Sequence, residues 1–280
     1  MNVYFRLMRL DKPIGIYLLL WPTLWALFLA ADGFPDIRIL LIFVFGAILM
    51  RSAGCVINDY ADRKIDKLVQ RTQHRPITSG EISAKSALIL FVIMMALALV
   101  LVSLTNQLTI QLSLVAGALA TLYPFTKRWT HLPQFVLGLA FAMSVPMAFA
   151  ATLNTLPTTV WYVFAATVIW TVIYDTMYAM ADREEDLQIG VKSTAILFAK
   201  FDRIIIAILQ LILMSILIAI GLVFVLKIGY FIMLFVVLVL MLYHQFLIKE
   251  HEKNDCFKAF LHNQYIGISV LLGVIFGVSF

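Results

Sequence analysis

The chain is 280 residues long, 62% hydrophobic and only 13% charged, with a formal net charge of +5. Soluble domains carry about 25% charged residues, so this balance excludes a soluble enzyme; the long uncharged runs point instead to an all-α polytopic membrane protein. A transmembrane barrel would need short alternating segments, which are absent, and a basic surplus without a recognisable module argues against nucleic-acid binding.

Arg6, Arg9 and Lys12 precede the first apolar run. That run is long enough to span and has no small-residue cleavage site, so it reads as a retained helix rather than a signal peptide, with no Arg- and Ser-rich leader before it. About nine spans of roughly twenty residues fit, at 14–32, 38–57, 84–104, 107–126, 132–151, 158–178, 203–226, 228–248 and 262–280. Pro13, Pro22, Pro124, Pro133 and Pro146 fall at their starts, ends or expected kinks.

Eighteen of the 21 basic residues lie in the N-terminal tail or after spans two, four, six and eight; Arg38 and Lys227 lie on the other side, and Arg51 lies inside span two. The positive-inside rule puts the N-terminus and those connections in the cytoplasm and the C-terminus outside. The two long connections, about 58–83 and 179–202, follow spans four apart, and both bear aspartates. This suggests a single domain over 1–280 that duplicates a four-helix unit, helices 1–4 and 5–8, and adds a ninth.

The first acidic stretch carries Asn58, Asp62 and Asp66, spaced so that a continuing helix would stack them on one face. The second runs from Tyr174 to Asp186, and both contain Ala-Asp-Arg-x-x-Asp, at 61–66 and 181–186. A solvated boundary accounts for Asp11, Glu184 and Glu185. It does not account for Asp62, Asp66, Asp182 and Asp186, because four carboxylates at one membrane mouth repel unless cations hold them. Oxygen ligands that leave positions open for phosphate suit Mg²⁺.

Bases share these segments. Arg63 and Arg183 alternate with the acids, Tyr123, Lys127 and Arg128 end span four, and Lys192 follows the second stretch. Positive-inside dressing explains most of them, but carboxylates mixed with guanidiniums are also what a metal–diphosphate complex requires. Arg51 precedes Asn58 by two helical turns, deeper on the same face. An arginine there costs roughly 2.5–3.5 kcal/mol on the insertion scale. It either snorkels to the cytoplasm or holds a substrate carboxylate below the metal site. Tyr17, Trp21, Trp25, Tyr174 and Tyr178 either line an apolar cavity or form interfacial belts. The five histidines show no metal-ligand spacing and read as interfacial.

At these residues the chain resembles the UbiA-type intramembrane prenyltransferases, most closely the branch acting on 4-hydroxybenzoate. The family-level residues are Asn58-Asp-Tyr-Ala-Asp62-x-x-x-Asp66 and the stretch through Asp182 and Asp186. The branch-level ones are Leu49 to Cys55, Tyr123 to Pro133, Pro146 to Ala150, and Tyr174 to Asp186 leading into Lys192-Ser-Thr194. The resemblance covers nearly the whole chain, with no departure at a metal-ligand position.

It implies a nine-helix ring around a lipid-accessible central cavity, capped by the two aspartate loops, in the bacterial inner membrane. It also implies Mg²⁺-dependent transfer of a polyprenyl group from its diphosphate to 4-hydroxybenzoate, ortho to the hydroxyl, in ubiquinone biosynthesis. Asn58, Asp62, Asp66, Asp182 and Asp186 would bind the metal–diphosphate. Arg63, Tyr123, Lys127, Arg128 and Lys192 would contact diphosphate or position the acceptor. The position of Arg51 below the acidic face, more than the resemblance, assigns it to the benzoate carboxylate, with Lys12 as competitor. A naphthoate, porphyrin or homogentisate acceptor is the alternative within the family. A cation-coupled carrier is the alternative outside it, although carriers place coupling acids near the midplane rather than at one surface.

Overall fold

A computed structural model describes residues 2–68 and 72–278. Twelve α-helices occupy them: α1 (Val3–Leu7), α2 (Ile14–Ala31), α3 (Ile37–Asp62), α4 (Ala84–Ser103), α5 (Gln107–Thr126), α6 (Pro133–Ala142), α7 (Ser144–Leu153), α8 (Val160–Ile189), α9 (Thr194–Phe198), α10 (Asp202–Val223), α11 (Ile228–Leu247) and α12 (Lys253–Gly277). Among the described residues, nine segments are long and apolar enough to cross a membrane, as α6 and α7 together make one of them. The chain is a multi-pass membrane protein.

Short polar side chains start several of these helices by accepting amides that the helix leaves unbonded. Asp36 accepts from Arg38 and Ile39, Ser83 from Ser86, Asn106 from Thr109, and Ser193 from Ile196. In α8, Thr167, Thr171 and Thr176 donate their hydroxyls to carbonyls four residues back, so these three hydroxyls are satisfied within the helix. The fifth span breaks at Met143, where Pro146 has no amide to offer the Ala142 carbonyl. By contrast α2 runs unbroken through Pro22.

Three spans differ from their predicted limits by five residues or more. The helix of span two reaches Asp62 instead of 57, that of span six reaches Ile189 instead of 178, and the last begins at Lys253 instead of 262. Residues 279–280 of the last prediction lie outside the described residues. Falling hydropathy marks the edge of the bilayer, but a helix stops only where its backbone is diverted. In α8 that point is Gly190, which takes the left-handed conformation (φ 70°) and ends the helix. Asp182 and Asp186 therefore stand on a helix, not in the loop the sequence suggests.

Helices adjacent in sequence pack side by side, and α12 returns onto both α2 and α8 to close a ring. At that closure Trp25 Nε1 donates to the Gly267 carbonyl at 2.9 Å. A Cβ at 267 would lie 2.2 Å from the Trp21 ring, so only glycine permits the approach. Trp25, Trp170 and Tyr174 continue inward as an aromatic column with ring centroids 5.2 and 5.3 Å apart. The outer faces of α4 and α5 expose Leu97, Val100 and Val115, as lipid-facing helices do.

Candidate active site

A cavity of about 1180 Å³ fills the ring and opens where α3 and α8 lose their apolar character. Asn58, Asp59, Asp62 and Asp66 line one side and Asp175, Asp182 and Asp186 the other. The two acidic stretches, distant in sequence, thus share one space. Of the other residues singled out in the sequence, Lys12, Arg51, Tyr123, Lys127 and Lys192 also line it.

Arg63 and Arg128 are not on its wall. Arg63 Nη1 donates to the Tyr60 carbonyl at 2.6 Å and stacks over that residue's ring, while Arg128 Nη2 donates to the Ala61 carbonyl at 2.6 Å. Both guanidiniums satisfy the last carbonyls of α3, which a continuing helix would have given to later amides. Here lies the reason for a second correction: α3 stops at Asp62, and Asp66 sits on a separate 3₁₀ turn, Asp66–Leu68, rather than one turn further along the same helical face. Arg183 also turns away, pairing with fully buried Asp202, which His251 Nε2 contacts at 2.8 Å. Glu185 faces the cavity and pairs with Lys253, so it is more than a solvated boundary charge. Of the aromatics proposed for the wall, Tyr178 is there, whereas Trp25 and Tyr174 belong to the core.

Protein cations hold the first acidic cluster. Asp62 pairs with Lys127 through Oδ2, and its buried Oδ1 has no hydrogen-bond partner among the described residues. Arg75 Nη1 bridges Asp66 at 2.9 Å and Asp59 at 3.1 Å. Arg9 Nη2 reaches both oxygens of Asp59, at 2.9 and 3.1 Å. Burial works against the charge on Arg75, but Asp59 and Asp66 outweigh it and hold its pKa above the ordinary guanidinium value. Burial pushes the Asp66 carboxyl above the usual range despite Arg75, with Asp62 and Asp59 adding to the rise. Sequence reasoning missed Arg9, Asp59 and Arg75. The one available signal was the Arg75-Pro-Ile-Thr-Ser-Gly80 segment after the first acids.

On the other side, Asp182 and Asp186 are four residues apart on α8 and share a face. The Lys192 amide donates to the Lys127 carbonyl at 3.1 Å, and its Nζ to the Trp129 carbonyl at 3.2 Å. This ties the end of the second acidic segment to the end of α5.

About 10 Å deeper, by helical rise, Arg51 lies against Gly15, where a Cβ would come within 2.2 Å of its Nε. The Nε is buried with no hydrogen-bond partner among the described residues, and the Phe141 ring centroid is 5.8 Å from the guanidinium carbon. The cavity is therefore a polar mouth above a mainly apolar floor in which Arg51 and Asp175 are the charged side chains.

No three His, Cys, Asp or Glu among the described residues stand close enough to hold an ion by themselves. The donors are nevertheless hard oxygens, and Asp62 keeps one oxygen unengaged. Such a set fits a hard divalent ion whose remaining positions are filled by phosphate oxygens.

The UbiA prenyltransferase family matches residues 19–267. A curated relative from Vesicomyosocius okutanii, described as a 4-hydroxybenzoate octaprenyltransferase, is 70% identical over 272 residues, covering 97% of this chain and all of its own. One from Saccharophagus degradans, described in the same words, is 57% identical and covers 97% of this chain and 91% of its own. Among solved structures, an apo UbiA homolog from Aeropyrum pernix K1 superposes with TM-score 0.82 at 22% identity, over 93% of this chain and 96% of that one. A UbiA homolog from Archaeoglobus fulgidus bound to GPP and Mg²⁺ gives TM-score 0.77 at 19% identity, over 98% and 99%.

Proposed function

The chain belongs to the UbiA prenyltransferase family, and on that footing we propose that it transfers a polyprenyl group from polyprenyl diphosphate to 4-hydroxybenzoate, ortho to the hydroxyl, as a step of ubiquinone biosynthesis. The relatives' descriptions specify an octaprenyl group, and the same donor is proposed here. The observation that carries the reading is one cavity in which two acidic helix ends and a row of cations stand above an apolar floor.

Asn58, Asp62, Asp66, Asp182 and Asp186 would hold a divalent ion together with the diphosphate, and we take that ion to be Mg²⁺. When bound, it neutralises charge on the leaving diphosphate and assists ionisation of the C–O bond. Lys127, Arg75 and Lys192 stand where phosphate oxygens would arrive, and they donate to them. Phe43, Phe141 and Tyr178 line the space below, excluding water and presenting ring faces to an allylic cation. Arg51 takes the acceptor carboxylate, which sets the ring beneath the diphosphate. Lys12, at the mouth, steers the anionic acceptor inward. The membrane would be the bacterial inner membrane, with the N-terminus and acidic mouth cytoplasmic, in keeping with the distribution of basic residues.

Detergent-solubilised protein given octaprenyl diphosphate, 4-hydroxybenzoate and Mg²⁺ is expected to form prenylated acid, read by chromatography of radiolabelled acceptor. A chelator should abolish the product and added Mg²⁺ restore it. Product that persists under chelation would overturn the metal assignment, and absence of product under all conditions would overturn the reaction. A carrier would need a gradient, which detergent removes. Arg51→Ala is expected to raise the acceptor KM about ten- to a hundredfold, the worth of a hydrogen bond to a charged group, while the KM for the diphosphate stays within about twofold. Equal rises in both would count against the carboxylate role.

A further inference from the structure

Asp175 lines the same cavity but lies too deep to share in gripping the diphosphate. It stands seven residues below Asp182 on α8, as Arg51 stands seven below Asn58 on α3, so each is about 10 Å beneath the mouth. The charged groups that face Asp175 are Arg51, Asp182 and Lys127, and Tyr123 lies close by. Among the described residues, no cation comes within 4.0 Å of its carboxylate. A carboxylate and a guanidinium that line one poorly hydrated cavity attract across it, so helices that keep them from touching leave a polarised gap between the two groups. Such a gap suits a flat molecule with an anion at one end and a site that must shed a proton at the other. A 4-hydroxybenzoate held by Arg51 through its carboxylate is such a molecule; the inference therefore rests on the function proposed above.

We propose that Asp175 is the catalytic residue that removes the ring proton. The diphosphate departs with the electrons of its bond to the prenyl C1. The ring carbon ortho to the hydroxyl then gives an electron pair to C1, forming the C–C bond and leaving a cationic ring that still carries its hydrogen at that carbon. Asp175 accepts this proton, the C–H electrons restore aromaticity, and the phenol keeps its O–H. The protonated acid then returns its proton to water at the mouth. Arg51 anchors the ring and Asp175 finishes the substitution.

The test compares 4-hydroxybenzoate with its analogue deuterated at both carbons ortho to the hydroxyl, in wild type, Asp175→Asn and Asp175→Glu. Asp175→Asn is expected to lose about 10²-fold or more in kcat, to keep the wild-type KM for octaprenyl diphosphate, and to show a primary isotope effect larger than that of wild type. Asp175→Glu should recover part of the rate, and formate should rescue Asp175→Ala in the same assay. A merely structural role would leave the isotope effect unchanged and give no rescue. The proposal is overturned if Asp175→Asn stays within about threefold of wild type, or if its loss comes with no change in isotope effect and no formate rescue. Wild type is run first, because failure there sinks the function itself, whereas an active wild type with an indifferent Asp175→Asn sinks only this inference.

Discussion

Asp62→Ala and, separately, Asp182→Ala are expected to lower turnover at least about 10³-fold while the protein still inserts and extracts normally. The size follows from removing a group that stabilises charge on the departing diphosphate in a water-poor site, where one well-placed electrostatic partner is worth about 10²–10³ in rate and a metal ligand adds affinity to that. Asp62 faces the cavity with one oxygen unengaged and the other on Lys127. Truncation therefore removes a ligand and also leaves an ammonium at the mouth. The lysine side chain is 20% exposed, so water can reach it and the fold should tolerate the change. The readouts are the prenylation assay and gel filtration in detergent. A variant within tenfold of wild type, at equal yield of folded protein, would remove that carboxylate from the proposed metal set.

Arg75→Met is expected to cost about 3–5 kcal/mol of stability, the penalty for breaking a buried ion pair from one side. Arg75 is the only described cation bridging Asp59 and Asp66, and the Asp59 side chain is 1% exposed. Without the guanidinium, Asp66 loses its partner and Asp59 keeps only Arg9. The pattern that identifies the bridge is non-additivity: Arg75→Met with Asp59→Asn should destabilise less than the two single changes combined, because the Arg75–Asp59 contact can be lost only once. Thermal unfolding in detergent, with exposed Lys85→Met as the control, measures both. A Tm no lower than the control would show that the bridge carries no stability.

The membrane-spanning architecture was legible because apolar runs of bilayer length are a strong periodic signal, and the distribution of basic residues assigned both acidic stretches to one side. The details that decide the site were not, because they depend on which distant group captures a given backbone or charge. Nothing local to Asp66 says that Arg63 and Arg128 will take the carbonyls of Tyr60 and Ala61 and so end α3 early. Equally, nothing local says which of many cations near the acids face inward. Lys127 does, whereas Arg183 faces Asp202. His244 reads as interfacial but is fully buried, 3.1 Å from His262 on the next helix, a pairing that spacing along one helix cannot reveal. The extension of α8 through residues 179–189 was readable in principle, since no glycine or proline interrupts it before Gly190.

That extension gives the two halves of the mouth unequal stiffness. Asp182 and Asp186 ride one hydrogen-bonded rod, so their separation is fixed before any substrate arrives. Asp66 hangs on a single tight turn, steadied by the Arg75 bridge and by the Thr72 hydroxyl on its carbonyl. One jaw sets the gauge, so accommodation of differently sized head groups is expected to fall on the side that Arg75 tethers.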